Sequence, residues 1–318
     1  MKPYTEYADM RAVYADTLLE LASQDERIVV LEADLMSASG TGAFLKQYPE
    51  RMYNCGVAEA NMVGVAAGLS SVGLIPFANT FACFASRKVF DQFYISGAYA
   101  RQQVKLVGTD PGVTAQFNGG THMPFEDVAL MRVIPGMTVT EPCDRVSVHH
   151  LTKLLAYRDG CTYMRLHRKG AVSIHPDDQH FEIGKGIVIR DGNDAAIFAS
   201  GMVMVPEAIE AADMLLAEGI SAAVIDMHTV KPLDNELVIR YARQCGALIT
   251  CDNAQIIGGL GSAVAELVAE TFPVPVIRVG VQDAFGEVGT LDYLKKRYGL
   301  TSECIVQAVR KAMTARDG

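Results

Sequence analysis

The chain has 318 residues, half of them hydrophobic, which suffices for one large core or two smaller ones and favours two domains. Twenty-eight Lys and Arg stand against 37 Asp and Glu, a net charge of -9, and with no basic run this argues against nucleic acid as a partner. Seven cysteines form no CxxC pair and have no His at metal-ligand spacing, so a reduced, cytoplasmic protein with buried thiols and no metal of its own is expected.

The N-terminal MKPYTEYADMR lacks the apolar core of a signal peptide. A helix is predicted near residues 8–21 and a strand at IVVLEAD (28–34). Nothing between Glu59 and Arg87 is charged, a stretch long enough to span a bilayer. Gly64, Gly68, Gly73 and Pro76 interrupt it, however, and Ser70, Ser71, Asn79 and Thr80 are polar. It therefore reads as a buried helix followed by a buried strand, and no membrane association is expected. Next come a helix over 88–100, a strand at 104–108, a Gly-rich loop over 109–125, a strand at 137–140, a helix over 145–157 and a strand at 162–166. Periodicity is lost between 168 and 186, as in a linker. Strands at 195–200, 221–227, 247–252 and 275–280 then alternate with helices, and a last helix opens at Thr301 with Ile305, Val309 and Ala312 on one face. The pattern predicts an α/β protein with two doubly wound domains, residues 1–185 with the linker and 186–318, each a mostly parallel sheet flanked by helices.

Glu59 precedes the uncharged stretch, where a carboxylate is costly to bury unless paired or protonated. Its position alone suits a functional carboxylate and an ordinary N-terminal helix residue equally well. Phe81, Phe84 and Arg87, continued by Phe90 and Phe93, form an aromatic stripe, a pattern most often used in core packing. Asp110, Asn118, Thr121 and His122 share one long loop after a strand, a usual location for function in α/β folds. GGLGSA (258–263) lacks the third glycine of GxGxxG and any P-loop Lys-Ser/Thr, so close packing at a helix start is the simpler reading.

Seven segments resemble, in order, the C-terminal half of transketolase: EADL (32–35), CGVAEANMVGVAAGL (55–69), GLIPFANTFACFASRKVFDQ (73–92), GGTHMPFEDVALMRVIPGMTV (119–139), KPLD (231–234), GGLGSAVAE (258–266) and DAFGEVGTLDYLKKRYGLT (283–301). The resemblance implies a pyrimidine-binding domain, then a transketolase C-terminal domain, and thiamine diphosphate with Mg2+ as cofactors. By the same resemblance, Glu59 hydrogen-bonds the N1′ nitrogen of the aminopyrimidine, Phe81 and Phe84 stack on that ring, and Arg87 belongs to the cofactor site. It also implies that Asp34 lies near the thiazolium and substrate, that His122 binds sugar hydroxyls, and that Arg11 and Arg168 grip a terminal phosphate.

The family holds diphosphate and metal with a GDG motif and a downstream Asn, and this sequence has neither; RDGND (190–194) suits a polar turn. With the chain starting at Met1, the expectation is a split enzyme whose N-terminal partner subunit carries the GDG motif, assembled with this chain as α2β2. Three positions depart from the family: Asp110 where a phosphate-binding His is usual, Ala38 where a Ser is usual (flanked by Ser37 and Ser39), and Asn118 where an Asp contacts a substrate hydroxyl. A carboxylate facing a phosphate dianion is repulsive, which points to a non-standard sugar, differently phosphorylated, branched or sulfonated. The alternatives are a subunit of a 1-deoxyxylulose-5-phosphate synthase-like or 2-oxoacid decarboxylase enzyme, or a non-catalytic partner-binding paralogue.

Overall fold

Short apolar runs bounded by turn residues become strands buried on both faces in the computed structural model, which describes residues 7–318. Residues 1–6, part of the segment read above for a signal peptide, lie outside the described residues. In chain order the strands are β1 (Tyr7–Asp9), β2 (Ile28–Glu32), β3 (Met52–Asn54), β4 (Ile75–Phe81), β5 (Lys105–Thr109), β6 (Thr138–Thr140) and β7 (Thr162–Leu166), followed by β8 (Gly170–Val172), β9 (Ile187–Arg190), β10 (Ala195–Ala199), β11 (Ala222–Asp226), β12 (Thr229–Lys231), β13 (Leu248–Gln255) and β14 (Val276–Val281).

The first large sheet has the order β12-β6-β7-β5-β4-β2-β3, and all its strands are parallel except β12. The second has the order β14-β13-β10-β11-β9, with only β9 antiparallel. Two doubly wound, mostly parallel sheets thus match the predicted α/β class. β1 and β8 form a separate antiparallel pair.

The stretch between Glu59 and Arg87 resolves into the helix Glu59–Ser71 and strand β4, with Met62, Val63, Ala66 and Ala67 buried. Among the described residues no helix is long and apolar enough to cross a membrane.

Other elements differ from the sequence reading. The helix predicted over 88–100 is a short α-turn, Phe90–Gln92, between two wide π-turns, Phe84–Lys88 and Phe93–Tyr99; wide turns of this kind commonly accompany functional positions. The 109–125 loop contains the 3-10 segments Gly112–Asn118 and Gly120–His122. β12 is the larger surprise. It follows β11 of the second sheet yet pairs antiparallel with β6, Thr229 opposite Thr140 and Lys231 opposite Val139. The Lys231 ammonium then donates to the carbonyls of Arg132 and Ile134 at 2.7 and 2.6 Å. Three residues are too short a run for a period-two pattern to be legible.

Between the two sheets lies a buried cluster of charge. Arg165 of β7 donates to Asp127 at 2.8 and 3.1 Å, to Glu141 at 2.8 Å and to the carbonyl of Asn253 on β13 at 2.9 Å, and none of the three charged side chains is exposed. Tyr163 donates to Asp127 at 2.8 Å. Asp252 lies 4.0 Å from the guanidinium and accepts the Leu260 amide at 2.8 Å.

Burial, opposed by Arg165 and reinforced by Glu141, raises the Asp252 carboxyl from an ordinary 3.8 to about 7. A raised carboxyl binds its proton more tightly in the folded chain, so its contribution to stability is lost as pH rises from about 4 to about 7. The Asp252→Asn variant, which keeps an acceptor for Leu260, is expected to lose less stability across that window than the wild type, as read by urea unfolding at several pH values.

Candidate active site

In a parallel sheet the carboxyl ends of the strands open onto loops that can gather side chains. Here the ends of β2, β4, β5 and β7 do so. Two residues beyond β2, Asp34 takes a left-handed backbone, φ 63°. Its amide donates to the Asn54 side-chain oxygen at 3.0 Å, and the Asn54 amide group donates back to the Asp34 carboxylate at 3.2 Å.

The turn after Asp34 is tied down from inside by Glu32. One of its carboxyl oxygens accepts from Ser39 at 2.5 Å and from Thr41 at 2.7 Å. Burial pushes Glu32 up to about 7, against the pull of those two hydroxyls. Arg11 closes the outer side, donating to the carbonyls of Ser37 and Ala38 at 3.4 and 3.3 Å, 3.4 Å from Asp9. Glu32 was not singled out in the sequence; its signal was an acidic residue ending an otherwise apolar strand.

Glu59 is the first residue of its helix, whose N-cap, Ala58, offers no side-chain acceptor. Its side chain is only 4% exposed, and its nearest cation is Lys88, 3.4 Å away and half exposed. Glu59 is thus a buried residue at the helix start and not a surface helix terminus. Lys88 also lies over the Phe84 ring, 4.5 Å from its centroid.

Phe81 ends β4, and its ring centroid stands 6.0 Å from that of Phe84. His122 meets both edge-on, at 6.2 and 5.3 Å, while its Nδ1 pairs with the Thr121 hydroxyl at 2.9 Å. The aromatic stripe is therefore shared between the core, where Phe93 is buried, and the half-buried group of Phe81 and Phe84 with His122. Arg87 donates to the Thr121 carbonyl at 2.6 Å and to the Cys83 carbonyl at 3.3 Å, and lies 3.2 Å from Glu126. Its guanidinium thus fastens the His122 loop to the turn after β4.

Arg168, beyond β7, packs 5.0 Å over the Phe81 ring and donates from Nε to Asp110 at 2.7 Å, with a second contact from Nη2 to the same oxygen. Asp110 is buried and left-handed, φ 54°. A cavity of about 240 Å³ lies here, lined by Asp110, Thr114, Gln116, His167, Arg168 and Lys169 among others.

The loop is held by Asn253 of the second sheet, whose side chain accepts from the Val113 amide at 3.0 Å and donates to the Pro111 carbonyl at 3.1 Å. Gly112 between them has φ 56°, and a Cβ there would sit 2.3 Å from the Asn253 side-chain oxygen, so only glycine fits. The stretch Asp252-Asn253-Ala254 carries no catalytic role in the sequence reading, yet Asn253 positions the residues next to Asp110. Asn118 lies exposed at the end of its 3-10 segment.

The fold thus brings Phe81, Phe84 and His122 into one group, with Glu59 adjoining through Lys88 and with Arg168 and Asp110 adjoining through Phe81. Asp34 lies on the neighbouring turn, which Arg11 holds from the helix Met10–Gln24, and that helix start is joined to the segment after Arg168 by the Met10 amide, which donates to the Lys169 carbonyl at 3.3 Å.

The transketolase pyrimidine-binding domain model matches residues 6–171, and the transketolase C-terminal domain model matches residues 184–305. The chain belongs to the transketolase family. It is similar to the 6-deoxy-6-sulfo-D-fructose transketolase subunit SqwH of Clostridium sp. (strain MSTE9), 52% identical over 95% of this chain and 94% of that one. It is also similar to one of the subunits of the apulose-4-phosphate transketolase of Phocaeicola vulgatus, 36% identical over 93% of this chain and 94% of that one. Among solved structures, a split gene transketolase described as an inactive beta4 tetramer is 45% identical, with a TM-score of 0.89, over 96% of this chain and 98% of that one.

A transketolase implies thiamine diphosphate. A buried carboxylate joined through Lys88 to a pair of phenylalanine rings suits the aminopyrimidine part of that cofactor, since a flat heteroaromatic ring with a basic nitrogen needs stacking faces and a partner for the nitrogen. The diphosphate part finds no GDG sequence here.

Proposed function

We propose that this chain is the C-terminal subunit of a split, thiamine diphosphate-dependent transketolase that moves a two-carbon ketol unit between sugars. The observation that carries the reading is Glu59, 4% exposed at the head of an apolar helix and linked through Lys88 to the Phe84 ring, which with Phe81 and His122 forms one aromatic group. When bound, the cofactor supplies the nucleophilic carbon that carries the two-carbon unit. Glu59 holds and exchanges a proton at the ring nitrogen of the aminopyrimidine, Phe81 and Phe84 wall that ring from water, and His122, with Nδ1 engaged by Thr121, turns Nε2 to sugar hydroxyls. Asp34 faces the reacting end of the sugar. Diphosphate and Mg2+ are held mainly by an N-terminal partner subunit with the GDG motif, in a cytoplasmic α2β2 assembly of which this chain is one half. The domain division is residues 1–185 with the linker and 186–318.

The Asp110–Arg168 pair bears on the substrate. A guanidinium already matched by a carboxylate brings no net charge to a phosphate, which carries nearly two negative charges at neutral pH. A sulfonate carries one, and the similar SqwH acts, by its name, on a sulfonated ketose. The proposed donor is a ketose with a terminal group less charged than a phosphate dianion, such as a sulfonate. Arg11 and Arg168 bind that end, and Asn118 lies on the sugar side of the loop.

The test is turnover by the chain mixed with its N-terminal partner, using 6-deoxy-6-sulfofructose and fructose 6-phosphate as donors. Activity is expected only in the mixture and in favour of the sulfonated donor. Asp110→Asn is expected to raise kcat/KM for the phosphorylated donor about tenfold, equivalent to about 1.4 kcal/mol. Full ketol transfer by the chain alone would overturn the split-enzyme reading, whereas preference for fructose 6-phosphate would overturn only the substrate.

A further inference from the structure

Three side chains distant in sequence meet away from the candidate active site. Cys143 lies between β6 and the helix Arg145–Ala156, His175 lies in the segment joining the two halves, and Asp226 ends β11. The Cys143 sulfur is 3.4 Å from Asp226 Oδ2, His175 Nε2 is 2.9 Å from the same oxygen, and the three donor atoms all lie within 4.8 Å of one another. All three residues are buried. The surrounding backbone is fixed, since Asp144 accepts the amides of Ile174 and His175, each at 2.8 Å.

A hydrogen-bonded Asp226–His175 pair with a thiol donor accounts for one carboxyl oxygen only. The other, Asp226 Oδ1, is buried and has no hydrogen-bond partner among the described residues, a state that a protein rarely leaves uncompensated. Two residues along the chain, His228 is fully buried, with Nδ1 paired to the Thr229 hydroxyl at 2.9 Å. The Phe181 ring packs on both imidazoles, at 5.2 Å from His175 and 5.3 Å from His228.

We propose that Cys143, His175 and Asp226 form a zinc site, with a water as fourth ligand. One sulfur, one imidazole nitrogen and one carboxylate oxygen are a zinc donor set, with metal–ligand lengths of about 2.0–2.3 Å that put tetrahedral donors roughly 3.3–3.6 Å apart. The Cys143–Asp226 distance already fits that spacing, and the His175–Asp226 distance needs to open by only a few tenths of an ångström. The charges also close. Zinc displaces the thiol proton and any imidazole proton to solvent, and Zn2+ with one thiolate, one carboxylate and a neutral imidazole has no net charge, which suits a buried position. The ligands come from the first half, the connecting segment and the second half, so the ion staples the joint between them.

The experiment measures metal in the purified full chain by mass spectrometry after expression with zinc, together with thermal unfolding before and after chelation. About one zinc per chain is expected, with Tm falling by several degrees on chelation and recovering when zinc sulfate is added back. Asp226→Asn, which keeps an acceptor for His175, and Cys143→Ser are expected to lose the metal. Should a variant fail to fold, cobalt loaded into the wild type gives the answer. A thiolate-to-cobalt charge-transfer band supports the site. A wild type that retains no zinc, shows no Tm change with added zinc and gives no such band overturns it.

Discussion

Glu59→Gln is expected to lower kcat of the assembled complex by about 10²–10⁴-fold, the usual worth of a positioned acid–base group. Gln keeps the size and hydrogen-bonding reach of the side chain but cannot exchange a proton. Partner assembly and thermal stability should therefore stay close to wild type, and the loss should appear in kcat more than in KM. The ion pair with Lys88, 3.4 Å away, is broken by the same change, so Lys88→Met serves as the control. Because Lys88 is half exposed, its removal should cost stability little, as for other solvent-facing pairs. A Gln variant with wild-type turnover would remove Glu59 from the chemistry and leave the chain a non-catalytic partner. Unchanged secondary structure by circular dichroism would exclude misfolding as the cause of a loss.

The largest effect on stability is expected at Arg165. Replacing it by Met fills much of the same volume but strands Asp127 and Glu141 without their counter-ion, with neither side chain exposed. Removing one partner of a buried ion pair costs about 3–5 kcal/mol, against total stabilities of roughly 5–15 kcal/mol. A large drop in the urea midpoint of Arg165→Met should follow, partly restored when Asp127→Asn and Glu141→Gln are combined with it. An unchanged midpoint would mean that the cluster contributes nothing. The Arg165 guanidinium also binds the Asn253 carbonyl, and the Asn253 side chain holds the Pro111–Val113 backbone. The variant should therefore also bind the sugar more weakly than its residual fold would suggest.

Much of this architecture was legible in the sequence because parallel strands buried on both faces read as short apolar runs between turns. IVVLE, IPFANTF, KLVGT and TYMRL all do so. Arg165 was hidden by the same rule, since inside TYMRL it reads as one polar residue in a strand, and its partners lie 38 and 24 positions away. Glu59 is legible as the last charge before an uncharged stretch, but its burial is not, because its partner Lys88 comes from another turn. In the sequence Asp110 is a repulsive charge; the structure pairs it with Arg168, so the departure from the family changes the net charge of the pocket. The broken 84–99 segment was missed because its apolar spacing suits a regular helix, and π-turns leave no distinct periodicity. The cluster of Cys143, His175 and Asp226 could not be found from spacing, since its members come from three separate segments that only the folded chain brings together.

The placement of β12 also governs how the chain can be made. During synthesis, β6 emerges long before Thr229 and must wait with one side of its backbone unpaired. The first sheet cannot be finished until residues from beyond the linker have been released and folded back. A gene fragment ending at the linker would yield a first domain with an open strand edge, prone to pair with its own copies rather than remain monomeric.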